Sequence, residues 1–442
     1  IKMKNSKISA FLKKYIVLFI LLCAVFTFLK TIIYILPNEP IQKNIRNSME
    51  QINEEGVYPR MFYSGKDSAA QRLDNYSEAI YLNVAYASNQ KNVLNLAMGD
   101  YRASFKGMNP LEALNQLILS DGNEKVSYRD YARHWMGSEV FIRPLLMFFT
   151  LPQIRLIYQA VFIILIFCTC RISEKTFGKK IGFSLLMALL SVNMIVLCSS
   201  SNFLGSFFVA LIGIIVVCKK DYDESATMFV VGGVTSFLDL LVTPMASYTL
   251  VMNMLLIKRD VKHENEQIKD KFVFLLKCSA SWCIGYLGLW MSKWILSSII
   301  LRKNIILDAY LETKKYGIQS SEYDMKSGRD VLELISKEIK QIFPINLIAW
   351  NSLFGKILIM MLICILLFLL YRIFKEKPKY VFCLLVGCAP YVWFLACPGH
   401  SWVHFWFTYR SQVGTVFAFV FVCFNVFFIK NNKSEILQET HT

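Results

Sequence analysis

The sequence predicts an all-α polytopic membrane protein with about ten transmembrane helices. Of its 442 residues 55% are hydrophobic, and mean hydropathy is +0.42. The apolar residues gather into runs that meet the roughly 20-residue length of a bilayer-spanning helix. The net charge of +16 would suit nucleic acid in a soluble protein, but here Lys and Arg concentrate in short stretches between apolar runs, which is how topology is encoded. Nucleic acid is therefore set aside as a partner in favour of the lipid bilayer.

Residues 1–14 carry Lys2, Lys4, Lys7, Lys13 and Lys14 without an acid, ahead of the apolar run 15–36. That run is long enough to span and ends at Leu36-Pro37 without a small-residue cleavage site, so it reads as a retained signal anchor. Further spans are expected at 153–170, 181–198, 203–218, 226–243, 246–257, 272–298, 355–372, 380–397 and 411–429. Pro244 leaves open a broken or re-entrant pair over 226–257. Connectors 171–180, 258–271, 372–379 and 430–433 are rich in Lys and Arg, whereas 199–202, 244–245 and 398–409 carry no charge. The positive-inside rule then places both termini, including the tail 430–442, in the cytoplasm. Segments 37–152 and 299–354 fall outside, between helix groups within 153–298 and 355–429. A bacterial plasma membrane is the expected location.

The twelve cysteines lie almost entirely in apolar segments, and none falls in 37–138. They read as small core residues, not as a disulfide framework or a metal set. Segment 37–152 has helical punctuation: apolar residues recur at helical intervals over 76–88 and 109–119, and Asn75 and Glu78 have capping-box spacing. Pro110 followed by Glu112 marks another helix start. Tyr128 to Thr150 mixes aromatic and basic residues, as an interfacial helix would. In the second outer segment, with Lys314, Lys315, Tyr316, Glu322 and Asp324, an amphipathic helix at 329–342 is placed to close over the first.

Asp74 and Glu78 stand one helical turn apart, so their carboxylates can face the same way about 6 Å apart. One can act as general base on a hydroxyl, and two can help hold a divalent cation; equally, one can cap a helix with the other in solvent. Asp100 in Gly99-Asp100-Tyr101-Arg102 is a weaker candidate in the same loop, a turn residue being the commoner role of such an acid. Arg133, His134 and Arg143 precede the second span, and His400, His404 and Arg410 precede the last. Arginines at the outer edge run against the positive-inside trend; their planar forks suit phosphate, and snorkelling to headgroups is the competing role. His400 and His404 have zinc-compatible i,i+4 spacing but no nearby third ligand. Asp239 and Lys293 are the clearest charges within spans, with Lys293 expected to snorkel outward. The clusters Trp282, Trp290, Trp294 and Trp393, Trp402, Trp406 read as aromatic belts. No Walker-type loop, nucleotide fingerprint or nucleophile elbow occurs, so any reaction must draw its energy from the substrate.

The layout of one inward-starting helix, a long outer loop with an acidic motif at Asp74 and interfacial helices, and a multi-helix body resembles the GT-C superfamily of polytopic glycosyltransferases. The segments Leu73-Asp74-Asn75-Tyr76, Tyr131-Ala132-Arg133-His134-Trp135, Phe141-Ile142-Arg143-Pro144 and His404-Phe405-Trp406-Phe407-Thr408-Tyr409-Arg410 are similar to those of bacterial membrane proteins of this general build, a likeness that carries no mechanism. The GT-C resemblance implies a polyprenyl-phosphate-linked sugar donor, an exoplasmic glycan, lipid or protein acceptor, and anomeric inversion. It makes Asp74 the base, with Glu78 as its helper. Independently of it, a leaving phosphate at the membrane surface needs positive partners, and the predicted depth puts Arg133, Arg143 and Arg410, with His134 or His404, around phosphate and sugar. The family's acidic motif is often a pair, and Asn75 stands where the second acid would be, so a divalent metal ion is open. A transporter or flippase of lipid-linked glycan, and an exoplasmic glycan polymerase or ligase, are the alternative readings.

Overall fold

The computed structural model describes residues 2–61, 69–87, 92–120, 126–320 except 316–318, then 323–324, 328–348, 350 and 352–427, with side chains from residue 13 onward. Tyr316, Glu322 and the tail 430–442 lie outside the described residues, as do the side chains of Lys2, Lys4, Lys7, Lys315 and Asp324. The protein is almost entirely helical. Its first helix, α1 (Lys2–Ile32), is followed by α2 (Asn38–Glu55), α3 (Asn75–Tyr86), α4 (Val93–Gly99), α5 (Pro110–Ser120) and α6 (Glu139–Leu146). These precede α7 (Leu151–Phe177), α8 (Lys179–Ser191), α9 (Met194–Leu197), α10 (Ser201–Lys219), α11 (Glu224–Leu238), α12 (Pro244–Lys262) and α13 (Ile268–Leu301). The chain continues through α14 (Ile305–Lys315), α15 (Gly328–Ile339), α16 (Leu353–Glu376), α17 (Val381–Gly387), α18 (Ala389–Ala396), α19 (Pro398–Thr408) and α20 (Val413–Phe427).

Among the described residues, seven helical stretches are long and apolar enough to cross a membrane, within Lys13–Ile35, Leu151–Phe177, Ser201–Lys219, Ile268–Leu301, Leu353–Glu376, Pro378–Ala396 and Pro398–Phe427. The other expected spans are helical but differ in kind. Segment 181–198 breaks at Asn193, whose φ of 55° interrupts the ladder, and α11 is only 15 residues long. Helix α12 is one continuous helix after Pro244, ending in Lys258, Arg259, Asp260 and Lys262. Helices α11 and α13 make the most extensive helix pair. Gly232 and Gly285 explain it: any Cβ there would collide with a carbonyl of the partner helix, so small residues set the approach.

The segment between the first two candidate spans forms a folded layer with its own apolar core from α2, α3, α5 and α6. Each helix start has a local cause. At α5, Asn109 Oδ1 accepts from the Leu111 and Glu112 amides while Glu112 reaches back to the Asn109 amide. At α7, Gln153 reaches back to the Thr150 amide, with Pro152 in the first turn. A two-residue strand pair, Arg102–Ala103 against Tyr128–Arg129, closes the layer.

Helix α13 fastens this layer to the bundle. Trp135 Nε1 donates to the Leu289 carbonyl at 2.7 Å, and Trp290 and Trp294 both donate to the Arg133 carbonyl. These indoles are thus fasteners as well as apolar surface. Lys293 does not snorkel: it is fully buried and donates to Asp100 Oδ2 and the Ala97 carbonyl, both at 3.1 Å. Lys30 of α1 meets the other Asp100 oxygen at 2.5 Å. Asp100, in the left-handed conformation that ends α4, is therefore the shared counter-charge of two membrane helices. Desolvating three charges is offset only by such direct contact.

Candidate functional site

At the end of the bundle covered by the folded layer lies a cavity of about 130 Å³. Four separate stretches of chain supply its polar wall: Tyr58; Asp74, Tyr76 and Ser77; Tyr131, Arg133 and His134; and Asn202, with His400, His404 and Trp406 closing it. Sequence neighbours did not predict this convergence; the layer's docking on α13 and the start of α10 produces it.

Asp74 is the N-cap of α3, and its Oδ1 accepts from the Ser77 amide at 3.1 Å. The cap is therefore Asp74 itself, while Asn75 is spent on Glu55 and the Gly56 carbonyl. The Leu73 amide, bonded to the Pro59 carbonyl at 2.8 Å, fixes the approach to the helix. Asp74 Oδ2 accepts from Asn202 Nδ2 at 2.7 Å. The carboxyl is 2% exposed and meets only neutral donors. Burial pushes its pKa up to about 6, against the pull of the Ser77 and Asn202 hydrogen bonds. It is thus ionised at neutral pH yet close to a proton affinity useful to a general base.

Glu78 does not share the cavity with it. Oε1 accepts from both the Ser201 amide and hydroxyl at 2.9 Å, and Oε2 is held by Arg155 at 3.0 and 2.5 Å. Arg155 also bonds Glu55 and Asn75. The carboxylate expected at the helix surface is instead buried and saturated, and it is absent from the cavity wall.

Arg143 is likewise removed from the cavity: it donates to the carbonyls of Ile33 and Ala85 and to Asn38, clamping α6 to the end of α1. Arg410 lies behind the wall, fully buried, donating to Ala70 and Trp406 carbonyls and stacked on Phe203 at 4.4 Å. It braces the stretch leading to Asp74 from beneath. Arg133 reaches the rim and is engaged by Asp308 at 3.1 Å and Glu312 at 3.7 Å.

His134 and His404 are on the wall as expected. Burial holds His134 down at about 3, helped by the positive charge of the neighbouring Arg133, so it is a neutral imidazole. His404 sits at a kink in α19, stacked on Phe407, with Nδ1 unpartnered. His400, 4.8 Å from it between ring centres, is hydrogen-bonded to the Leu241 carbonyl. No three His, Cys, Asp or Glu side chains among the described residues gather closely enough to share a metal ion. Tyr58, stacked on Tyr76 and edge-on to Trp406, forms an aromatic corner.

Three participants were not singled out from sequence: Asn202, Tyr58 and Arg155. Asn202 had a signal, being an amide at the start of an apolar span, and Arg155 had a stronger one, being an arginine inside a span. The wall offers one buried carboxyl, amide and imidazole acceptors, phenols and flat aromatic faces, a set suited to a polyhydroxylated ring. Searches against protein-family models, curated proteins and solved structures find no significant match to this chain.

Proposed function

We propose that the chain is a membrane glycosyltransferase of GT-C type that moves a sugar from a polyprenyl-phosphate carrier to an exoplasmic hydroxyl acceptor. The observation that carries this reading is Asp74, a buried carboxyl whose hydrogen-bond donors Ser77 and Asn202 are neutral, facing a cavity lined by aromatic and hydroxyl-bearing side chains. Asp74 takes the acceptor's proton as its oxygen forms the new bond to the anomeric carbon. The bond from that carbon to the phosphate oxygen breaks, and polyprenyl phosphate leaves with the electron pair. Asn202 fixes the orientation of the base, and His404 Nδ1 and the tyrosine hydroxyls are placed to bind sugar hydroxyls. Arg133, which lines the cavity, is the cation this reading assigns to the departing phosphate.

A second feature supports a lipid-borne donor. An apolar groove of about 420 Å³ runs along α10, walled by Phe141, Tyr158, Phe162 and Leu204. It ends at Ser201 and Leu238, next in sequence to Asn202 and near Leu240, which line the cavity. A chain lying there would bring its headgroup to the reacting end. Location in a bacterial plasma membrane, with the site on its outer face, cytoplasmic termini and about ten crossings, belongs to the same proposal.

The test is purified protein with a panel of polyprenyl-phosphate sugars, following sugar loss from the lipid. Consumption by the native protein and its loss in Asp74→Asn are expected. A folded Asp74→Asn variant with full turnover would reject Asp74 as base, and no consumption across the panel would reject the donor class.

A further inference from the structure

One side of the Asp74 cavity is walled by the segment that joins α11 to α12, where Leu240, Leu241 and Val242 line it. Asp239 pins this segment: Oδ1 accepts from the Val242 amide at 2.9 Å, and Oδ2 accepts from the Thr243 amide at 3.0 Å and the Ser206 hydroxyl at 2.8 Å. The Leu241 carbonyl accepts from His400 Nε2 at 3.0 Å. Held in this way, Leu241 has a φ of 64°. That left-handed region strains a leucine, whereas glycine or asparagine enters it readily. Strain of this kind persists where the surroundings impose it, and it gathers at functional sites. A leucine at this position is explained by its side chain, half-buried on the cavity wall.

The walls of the cavity differ in chemistry. Tyr58, Asp74, Tyr76 and Asn202 present hydrogen-bonding groups, whereas the 240–242 segment presents leucine and valine hydrocarbon. Its Val242 amide and Leu241 carbonyl are already engaged. A sugar hydroxyl turned toward Leu241 gives up water without finding a partner there, and a methyl group in its place is favoured. The exocyclic carbon is the place on a hexose where losing a hydroxyl leaves a protruding methyl. An acetamido group also ends in a methyl, but it brings an amide whose partners this segment has committed elsewhere.

Taking this cavity as the sugar site of the proposed transfer, we propose that the transferred sugar is a 6-deoxyhexose with its C6 methyl against Leu241, and that Leu241 is the specificity-determining residue. An apolar wall rejects an added hydroxyl only modestly, so the preference in kcat/KM over the parent hexose is roughly tenfold to hundredfold.

The purified protein is given matched pairs of polyprenyl-phosphate donors, each a 6-deoxyhexose and its parent hexose, in the gluco, galacto and manno series. The deoxy member of at least one pair should be turned over with that preference. Leu241→Met keeps the hydrocarbon and should keep the ratio. Leu241→Asn suits the backbone, puts a hydrogen-bonding group on the wall and should bring the two rates together in folded protein. Equal turnover or a preference for the hexose in every pair, or a preserved ratio in folded Leu241→Asn, would overturn the assignment. Turnover of no donor at all rejects the transfer reading instead, and saturation-transfer NMR with methyl glycosides of the same sugars then decides the sugar's class. Saturation concentrated on the C6 methyl and reduced in Leu241→Asn upholds it; saturation spread evenly over the sugar, or none, overturns it.

Discussion

Asp74 and Glu78 lie one turn apart on the same helix, are equally buried, and have opposite surroundings. Glu78 faces the bundle and is saturated by Arg155 and Ser201. Asp74 faces the cavity and is held by one amide N–H and one carboxamide. The same contrast separates Asp100, locked between Lys30 and Lys293, from Asp74. Fully compensated carboxylates fasten helices, whereas a partly compensated one keeps a proton affinity that chemistry can use.

The sharpest way to break this contrast is to neutralise each member. Asp74→Asn should lower the transfer rate by roughly 10²–10⁴, the usual contribution of a general base. The fold should survive, because the free Asn202 Oδ1 can accept from the new amide once Asn202 turns over. Glu78→Ala should do the reverse. It leaves Arg155 with Glu55 as its remaining carboxylate partner, and removing one member of a buried pair costs about 3–5 kcal/mol. Thermal unfolding in detergent and turnover per folded molecule separate the two effects; a stable but inactive Glu78→Ala would erase the distinction.

The pH dependence sharpens the contrast further. Asp74 must be ionised to act, so kcat/KM should rise as pH increases through about 6 and lie roughly tenfold below its plateau one unit lower. Stability has the opposite sign. The folded state holds the Asp74 proton up to about 6, whereas the unfolded chain releases it near the ordinary 3.8. Asp74 therefore removes stability as pH rises between those values. Asp74→Asn should flatten that part of the curve while Glu78→Gln leaves it in place.

Much of this architecture was legible because apolar run length and Lys/Arg placement are local properties. The helix starts near Asp74 and at Pro110 were legible for the same reason, since capping is decided within four residues. Which carboxylate became the free one was not. That depended on Arg155, buried in α7 and 77 residues from Glu78 in sequence, reaching back to take one acid and leave the other. Lys293 was misread for a similar reason: an isolated lysine in a span should snorkel, but Asp100, 193 residues away, meets it inside. Arg143 and Arg410 shared the expected depth with Asp74, yet backbone carbonyls of other segments capture both. Depth follows from sequence position, but side-chain partners follow from tertiary contacts.

The smallest expected effect concerns Arg133, the one arginine of the set on the cavity wall. Its ion pair with Asp308 is partly exposed, with 18% and 45% of the two side chains accessible, so a double-mutant cycle should give a coupling below about 1 kcal/mol. The functional consequence should differ between the partners. Arg133→Gln removes the rim cation and should raise KM for the lipid-phosphate donor. Asp308→Asn removes a competing carboxylate without disturbing the wall, so the guanidinium becomes more available and KM should fall severalfold. Opposite movements of KM from two ends of one ion pair would show that Arg133 attracts phosphate; equal and parallel losses would make it another fastener, in the class of Glu78 and Asp100.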